Sequence, residues 1–157
     1  MKEVVALTKT YRVTPFVRMG NLFTRAMIRS GFRIRNTALL TVTGRTSGKP
    51  RSVPLAVAEC DGERYLIGAF GEVNWVRNLR AAGEATLTYS GITEHIFASE
   101  LPPEHAAPIL KEAVAVAPAF VRAYFAVPPD APLADFIREA PRHPVFRLAT
   151  IADWEAA

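Results

Sequence analysis

Arg45, Thr46, Ser47, Lys49 and Arg51 crowd around Gly44 and Gly48 in the segment GRTSGKPR. Glycines let a backbone turn its N–H groups toward a ligand, and hydroxyls with cationic side chains complete a cradle for phosphate or carboxylate. A second group follows in the run from Gly71 through Asn74, Trp75, Arg77 and Asn78 to Arg80. Asn74 is a good N-cap for a helix starting at Trp75, and a helix N-terminus offers free N–H groups and a favourable dipole to an anion. Trp75 on the first turn suits the wall of a planar ring system. Val53-Pro54-Leu55 and Ala69-Phe70-Gly71 fall on neighbouring strands and suit an apolar slot, with Ala69 and Gly71 small enough to admit a flat ring. A merely soluble basic loop, beside a helix packing through Trp75 and Leu79, accounts for the same residues without a ligand.

Other chemistries find little support. His95, His105 and His143 are far apart and lack neighbours at metal-ligand spacing, so zinc hydrolysis is not indicated. Cys60 is a lone cysteine at a strand end, which excludes an intrachain disulfide and fits a structural thiol in a reducing compartment. There is no GxSxG nucleophile motif and no Walker phosphate loop.

The elements that must position the basic residues are short and strand-rich. TALLTVT (Thr37–Thr43) reads as a strand, followed by the polar turn. Arg51–Cys60 is the next strand, with Pro54 implying an edge or bulge. Asp61-Gly62 signals a hairpin, and Glu63–Phe70 returns. A helix over Trp75–Ala82 ends at Gly83. Glu84–Tyr89 and Ile92–Leu101 form a second hairpin about Ser90-Gly91. Helices follow from Pro102-Pro103 to about Val116, over Ala119–Ala126 and over Leu133–Ala140, before a last strand, Pro144–Thr150. Six strands in hairpins, with helices as insertions, predict an α+β fold: an antiparallel meander closed into a small barrel with helices packed outside.

The length of 157 residues predicts a single domain over 1–157, and 50% hydrophobic with 22% charged residues excludes intrinsic disorder. No apolar run is long enough to span a bilayer, and the charged start lacks the apolar stretch of a signal peptide; the expectation is a cytoplasmic protein. The net charge of +4 is unevenly spread: +7 over residues 1–35 and −3 over the rest. Within that basic segment, Thr14-Pro15 begins an amphipathic helix over about residues 14–30, with Arg18, Arg25 and Arg29 on one face. It reads as a lid on the core, or as a peripheral contact with anionic lipid. Its aromatics lie on the apolar stripe and no nucleic-acid motif is present, so nucleic acid is not the expected partner.

Together LLTVTGRTSGKPRSVPL, DGERYLIGAFG and NWVRNLRAAGEATL resemble the deazaflavin-dependent nitroreductase family of actinobacteria, in order from about residue 37 to 89, with a weaker echo in HPVFRLAT. The resemblance implies a split β-barrel of the FMN-binding-like kind. It also implies an oxidoreductase using coenzyme F420, whose tail carries a phosphate and several carboxylates. By that resemblance Arg45, Thr46, Ser47, Lys49 and Arg51 hold the tail and Val53, Pro54 and Leu55 line the deazaflavin. Ala69, Phe70 and Gly71 then meet the ring through the backbone, and Asn74, Trp75, Asn78 and Arg80 complete the pocket. The link Gly71-Glu72-Val73 is shorter than in many relatives, and looks more like members of the wider family acting on lipid-like substrates. The expected reaction is hydride transfer from the reduced cofactor to an electron-poor lipophilic acceptor: a quinone, an enone or an unsaturated lipid-like compound. The cofactor carries that chemistry. Tyr124, in AFVRAYFAV, is the candidate proton donor or substrate-orienting group. A barrel binding FMN or haem, and a non-catalytic carrier of lipid or cofactor, are the alternatives. Monomer and homodimer both fit.

Overall fold

The computed structural model describes residues 37–156; the helix expected over residues 14–30 lies outside them. The strands are β1 (Thr37–Thr43), β2 (Pro50–Ala56), β3 (Ala58–Cys60), β4 (Glu63–Ile67), β5 (Glu84–Tyr89), β6 (Ile92–Glu100) and β7 (Val145–Ala149). The helices are α1 (Asn74–Ala82), α2 (Pro103–Val116), α3 (Ala119–Arg122), α4 (Leu133–Glu139) and α5 (Ile151–Glu155), and a 3-10 turn over Ala140–Arg142 follows α4. Local turn chemistry sets the hairpins: Asp61-Gly62 and Ser90-Gly91 all take positive φ, the backbone of a two-residue type I′ turn.

All pairings are antiparallel, in the order β2-β1-β5-β6-β7-β4-β3. The strand expected over Arg51–Cys60 is therefore two strands. β2 pairs with β1 at one end of the sheet, β3 pairs with β4 at the other, and Val57 alone separates them. One residue spans only a few ångströms, so the sheet must curl until its ends meet, which makes the barrel. Pro54 sits on the edge strand β2 opposite Leu39, where a missing N–H is tolerated.

The strand pleat sorts side chains between two cores. Leu40, Val42, Leu66, Leu87, Ile96 and Phe146 fill the barrel interior. Tyr65 and Val145, next to Leu66 and Phe146, face the other way, where α2 and α4 cover them with Leu110, Val114 and Phe136. Not every helix lies outside the barrel. α1 contributes Trp75, Val76 and Leu79 to the interior cluster, so it plugs the barrel. Val73, not Asn74, occupies the cap position of α1 with no side-chain cap bond, while Gly83 ends it in the left-handed region at φ 73°. The helix expected over Ala119–Ala126 stops at Arg122; beyond it the bonds Tyr124 N–H to Val121 and Phe125 N–H to Arg122 are single turns. None of the described helices is long and apolar enough to cross a membrane.

Candidate functional site

The β1–β2 loop folds on itself before it meets anything else. The Gly44 N–H donates to Lys49 O at 2.8 Å, the Gly48 N–H to Gly44 O at 2.9 Å, and Ser47 Oγ accepts from the Lys49 N–H at 3.2 Å. A Cβ on Gly44 would lie 2.7 Å from Ser47 Oγ, and Gly48 has φ +68°, so both glycines are demanded by the loop. Arg45, Thr46, Ser47, Lys49 and Arg51 all remain exposed.

Asn78 ties this loop to α1. Its Oδ1 accepts from the Arg45 backbone N–H at 3.1 Å and from Arg45 Nη1 at 2.8 Å, and the residue is 6% exposed. Two basic segments remote in sequence thus form a single surface. Asn74, one turn before Asn78, shares its edge of the helix and is exposed. Among the described residues no ion pair engages Lys49, Arg51 or Arg77, so their charges are not neutralised by a neighbouring carboxylate. This fits an anionic, phosphate-bearing tail.

Arg80 is placed differently. Two residues beyond Asn78, it projects from the opposite side of α1, where Nε and Nη2 grip both oxygens of Glu100 at 2.7 and 2.8 Å and Nη2 meets Glu72 at 3.0 Å. The hydrogen bonds to Glu100, reinforced by Glu72, push its pKa further above the ordinary arginine value against the opposing pull of burial. These side chains border a cavity of about 490 Å³ walled by Leu101, Ala140 and Pro144, away from the basic loop. Arg80 therefore does not join the cradle in this arrangement. Trp75, 9% exposed, packs on Phe146 with ring centres 6.2 Å apart and belongs to the barrel core. The pleat also divides the β2 trio: Val53 and Leu55 pack against the interior, leaving Pro54 on the other face.

The turn after β4 is built from both sides. Gly71 is buried at φ 91°, and its N–H donates to Gly68 O at 3.0 Å. Phe70 meets Tyr124 edge to face, with centroids 4.7 Å apart. The chain thereby brings Tyr124, expected near the reacting groups, against the segment expected to meet the ring. Beneath them lies a network that sequence reasoning missed. His143, fully buried, bonds through Nδ1 to Ala69 O and through Nε2 to Glu139 Oε1, each at 2.9 Å, and stacks on Phe125 with centroids 3.9 Å apart. Burial pushes the Glu139 carboxyl up, but bonds from His143 and the Ala126 N–H, with the charges of His143 and Arg142, outweigh it and hold it below the ordinary glutamate value. The available signal was Glu139 standing four residues before His143.

A curled antiparallel sheet with a helix in its mouth defines a split β-barrel of the pyridoxamine-oxidase-like kind. The solved structure of HutZ, a haem storage protein from Vibrio cholerae, is similar over 81% of this chain and 87% of that one, at 12% identity and a TM-score of 0.52. A chain described as a domain-swapped dimer is similar over 87% of this chain and 100% of that one, at 23% identity and a TM-score of 0.53. A structure of an F420-H2 dependent reductase (FDR-A) is 27% identical over 73% of this chain and 95% of that one, with a TM-score of 0.48. No curated protein matches the chain. Residues 17–127 match the profile described as F420H(2)-dependent quinone reductase. The chain belongs to that family: it is an F420-dependent oxidoreductase.

Proposed function

We propose that the chain reduces an electron-poor, lipophilic acceptor, of which a quinone is the best-supported example, and that the Arg45–Asn78 junction organises its cofactor site. That junction carries the proposal, because it sets Arg45, Thr46, Ser47, Lys49 and Arg51 against the exposed edge of α1 bearing Asn74. These groups would hold the phosphate and carboxylates of the F420 tail by charge-assisted hydrogen bonds. Ala69, Phe70 and Gly71 would face the ring system, with the backbone of Val53, Pro54 and Leu55 bordering it on the edge strand β2. When bound, the reduced cofactor supplies a hydride. Tyr124, beside Phe70, would hold a proton at its phenolic oxygen or orient the acceptor there. The basic segment over residues 14–30, with Arg18, Arg25 and Arg29, belongs to the same reading as a peripheral contact with an anionic membrane holding the acceptor.

The test is an equilibrium titration of the full chain with oxidised F420, run beside FMN. Arg45→Ala and Arg51→Ala should each weaken F420 binding by about 1–3 kcal/mol. Arg80→Ala, which removes a cation already matched by two carboxylates, should change it by less than about twofold. F420 affinity indifferent to Arg45 and Arg51 would show that the tail lies elsewhere. FMN binding as tight as F420 would return the chain to the flavin reading.

A further inference from the structure

We infer that the buried Glu139–His143 pair is a positioning device, which sets the Ala69–Gly71 turn and the Tyr124–Ala126 segment at a fixed separation. The inference rests on the proposed site, since those two segments are its walls. The turn is held by two bonds from adjacent residues: the Gly68 N–H donates to Pro144 O at 2.7 Å, and His143 Nδ1 bonds to Ala69 O at 2.9 Å. A carbonyl only accepts, so Nδ1 carries a hydrogen. The same imidazole bonds to Glu139 Oε1 through Nε2, and that oxygen also accepts the Ala126 N–H at 3.0 Å. Arg142 Nη1 lies 3.5 Å from Glu139 Oε2. Phe125 closes over the imidazole face, and its neighbour Tyr124 packs on Phe70. Each wall thus meets the other twice, once through the rings and once through the carboxylate–imidazole relay.

Packing alone does not call for such a pair. Glu139 is 4% and His143 0% exposed, and a buried ion pair is often matched or bettered in stability by apolar side chains of similar volume. What apolar side chains cannot do is hold a specific carbonyl and a specific N–H at one distance.

Two His143 variants separate the halves of the relay. Asn places its amide nitrogen near the position of Nδ1, keeping the Ala69 bond and giving up Glu139; Gln places it near Nε2, keeping Glu139 and giving up Ala69. In the full chain without cofactor, His143→Gln should speed amide hydrogen exchange over residues 66–72, whereas His143→Asn should speed it over residues 123–128. With oxidised F420, His143→Gln should weaken binding about tenfold, and His143→Asn by less than about twofold. With reduced F420 and a soluble short-chain naphthoquinone, His143→Asn should raise the KM for the quinone about tenfold with a smaller change in kcat. Indistinguishable effects of the two variants, or unchanged exchange in both segments, would overturn the inference. Failure of the wild type to bind F420 would remove the proposed site, and the cofactor-free exchange comparison would still decide the coupling. If neither His143 variant folds, Glu139→Met, which keeps close to the volume and removes the oxygen that accepts both bonds, takes their place: exchange should rise in both segments together, and a rise in one alone, or in neither, refutes the relay.

Discussion

Arg45, bonded to one side of α1, and Arg80, projecting from the other, carry the same side chain, and their neighbours give them opposite uses. Arg45 spends one guanidinium nitrogen and its backbone N–H on the amide oxygen of Asn78, so its charge is oriented without being cancelled. Arg80 is matched by Glu72 and Glu100. Cys60 shows the same dependence on partners. Its thiol donates to Glu112 Oε2 at 3.0 Å, and that bond, with burial and the nearby Glu112 and Asp61 carboxylates, raises its pKa to about 11. The thiolate is the reactive form. Alkylation by iodoacetamide should therefore be slow at neutral pH and climb until pH about 11, with Glu112→Gln shifting the whole profile to lower pH. A profile centred at the ordinary thiol value would show that the Glu112 contact does not persist in solution. The turn that carries the basic residues was legible in the sequence, since glycines among short polar residues mark a tight loop. The pairings of the arginines were not: Glu100 lies 20 residues from Arg80, and the rotation of α1 decides which side meets it.

At the scale of elements, hairpins were read most accurately. β1 and β5 have the boundaries that the sequence pattern predicts, because alternation and turn residues are local information. The division of Arg51–Cys60 at Val57 was hidden, because whether a strand continues or changes partner depends on strands later in the chain. The junction of the β1–β2 loop with α1 was hidden for the same reason. Asn78→Ala should leave the barrel intact and free the loop. The Arg45 N–H would lose its acceptor, at a cost of about 1–2 kcal/mol in unfolding free energy that lowers the denaturant midpoint, and exchange of that amide should accelerate. An unchanged midpoint together with an unchanged Arg45 exchange rate would mean that the loop holds its shape without α1.

For the whole molecule, Glu139 ties α4 to two other segments, and its ionisation is part of the stability of the fold. Its carboxyl sits below the ordinary value of 4.5. Its contribution is therefore complete above that value and is lost as pH falls through the lower, folded-state value. Melting temperature should accordingly drop more steeply on acidification from about pH 5 to 3 in the wild type than in Glu139→Gln; parallel curves would assign the acid sensitivity to other carboxylates. Seen at this scale, the one-residue link at Val57 has a consequence for how the molecule meets other proteins. An open sheet of seven strands would present two rows of unpaired backbone groups, each a template on which a strand from another chain can add. Here the outermost strands, β2 and β3, are successive stretches of one chain, so the two rows converge at a single seam. The two edges are thereby brought side by side at Val57, which leaves less open backbone for a strand from another chain to pair with.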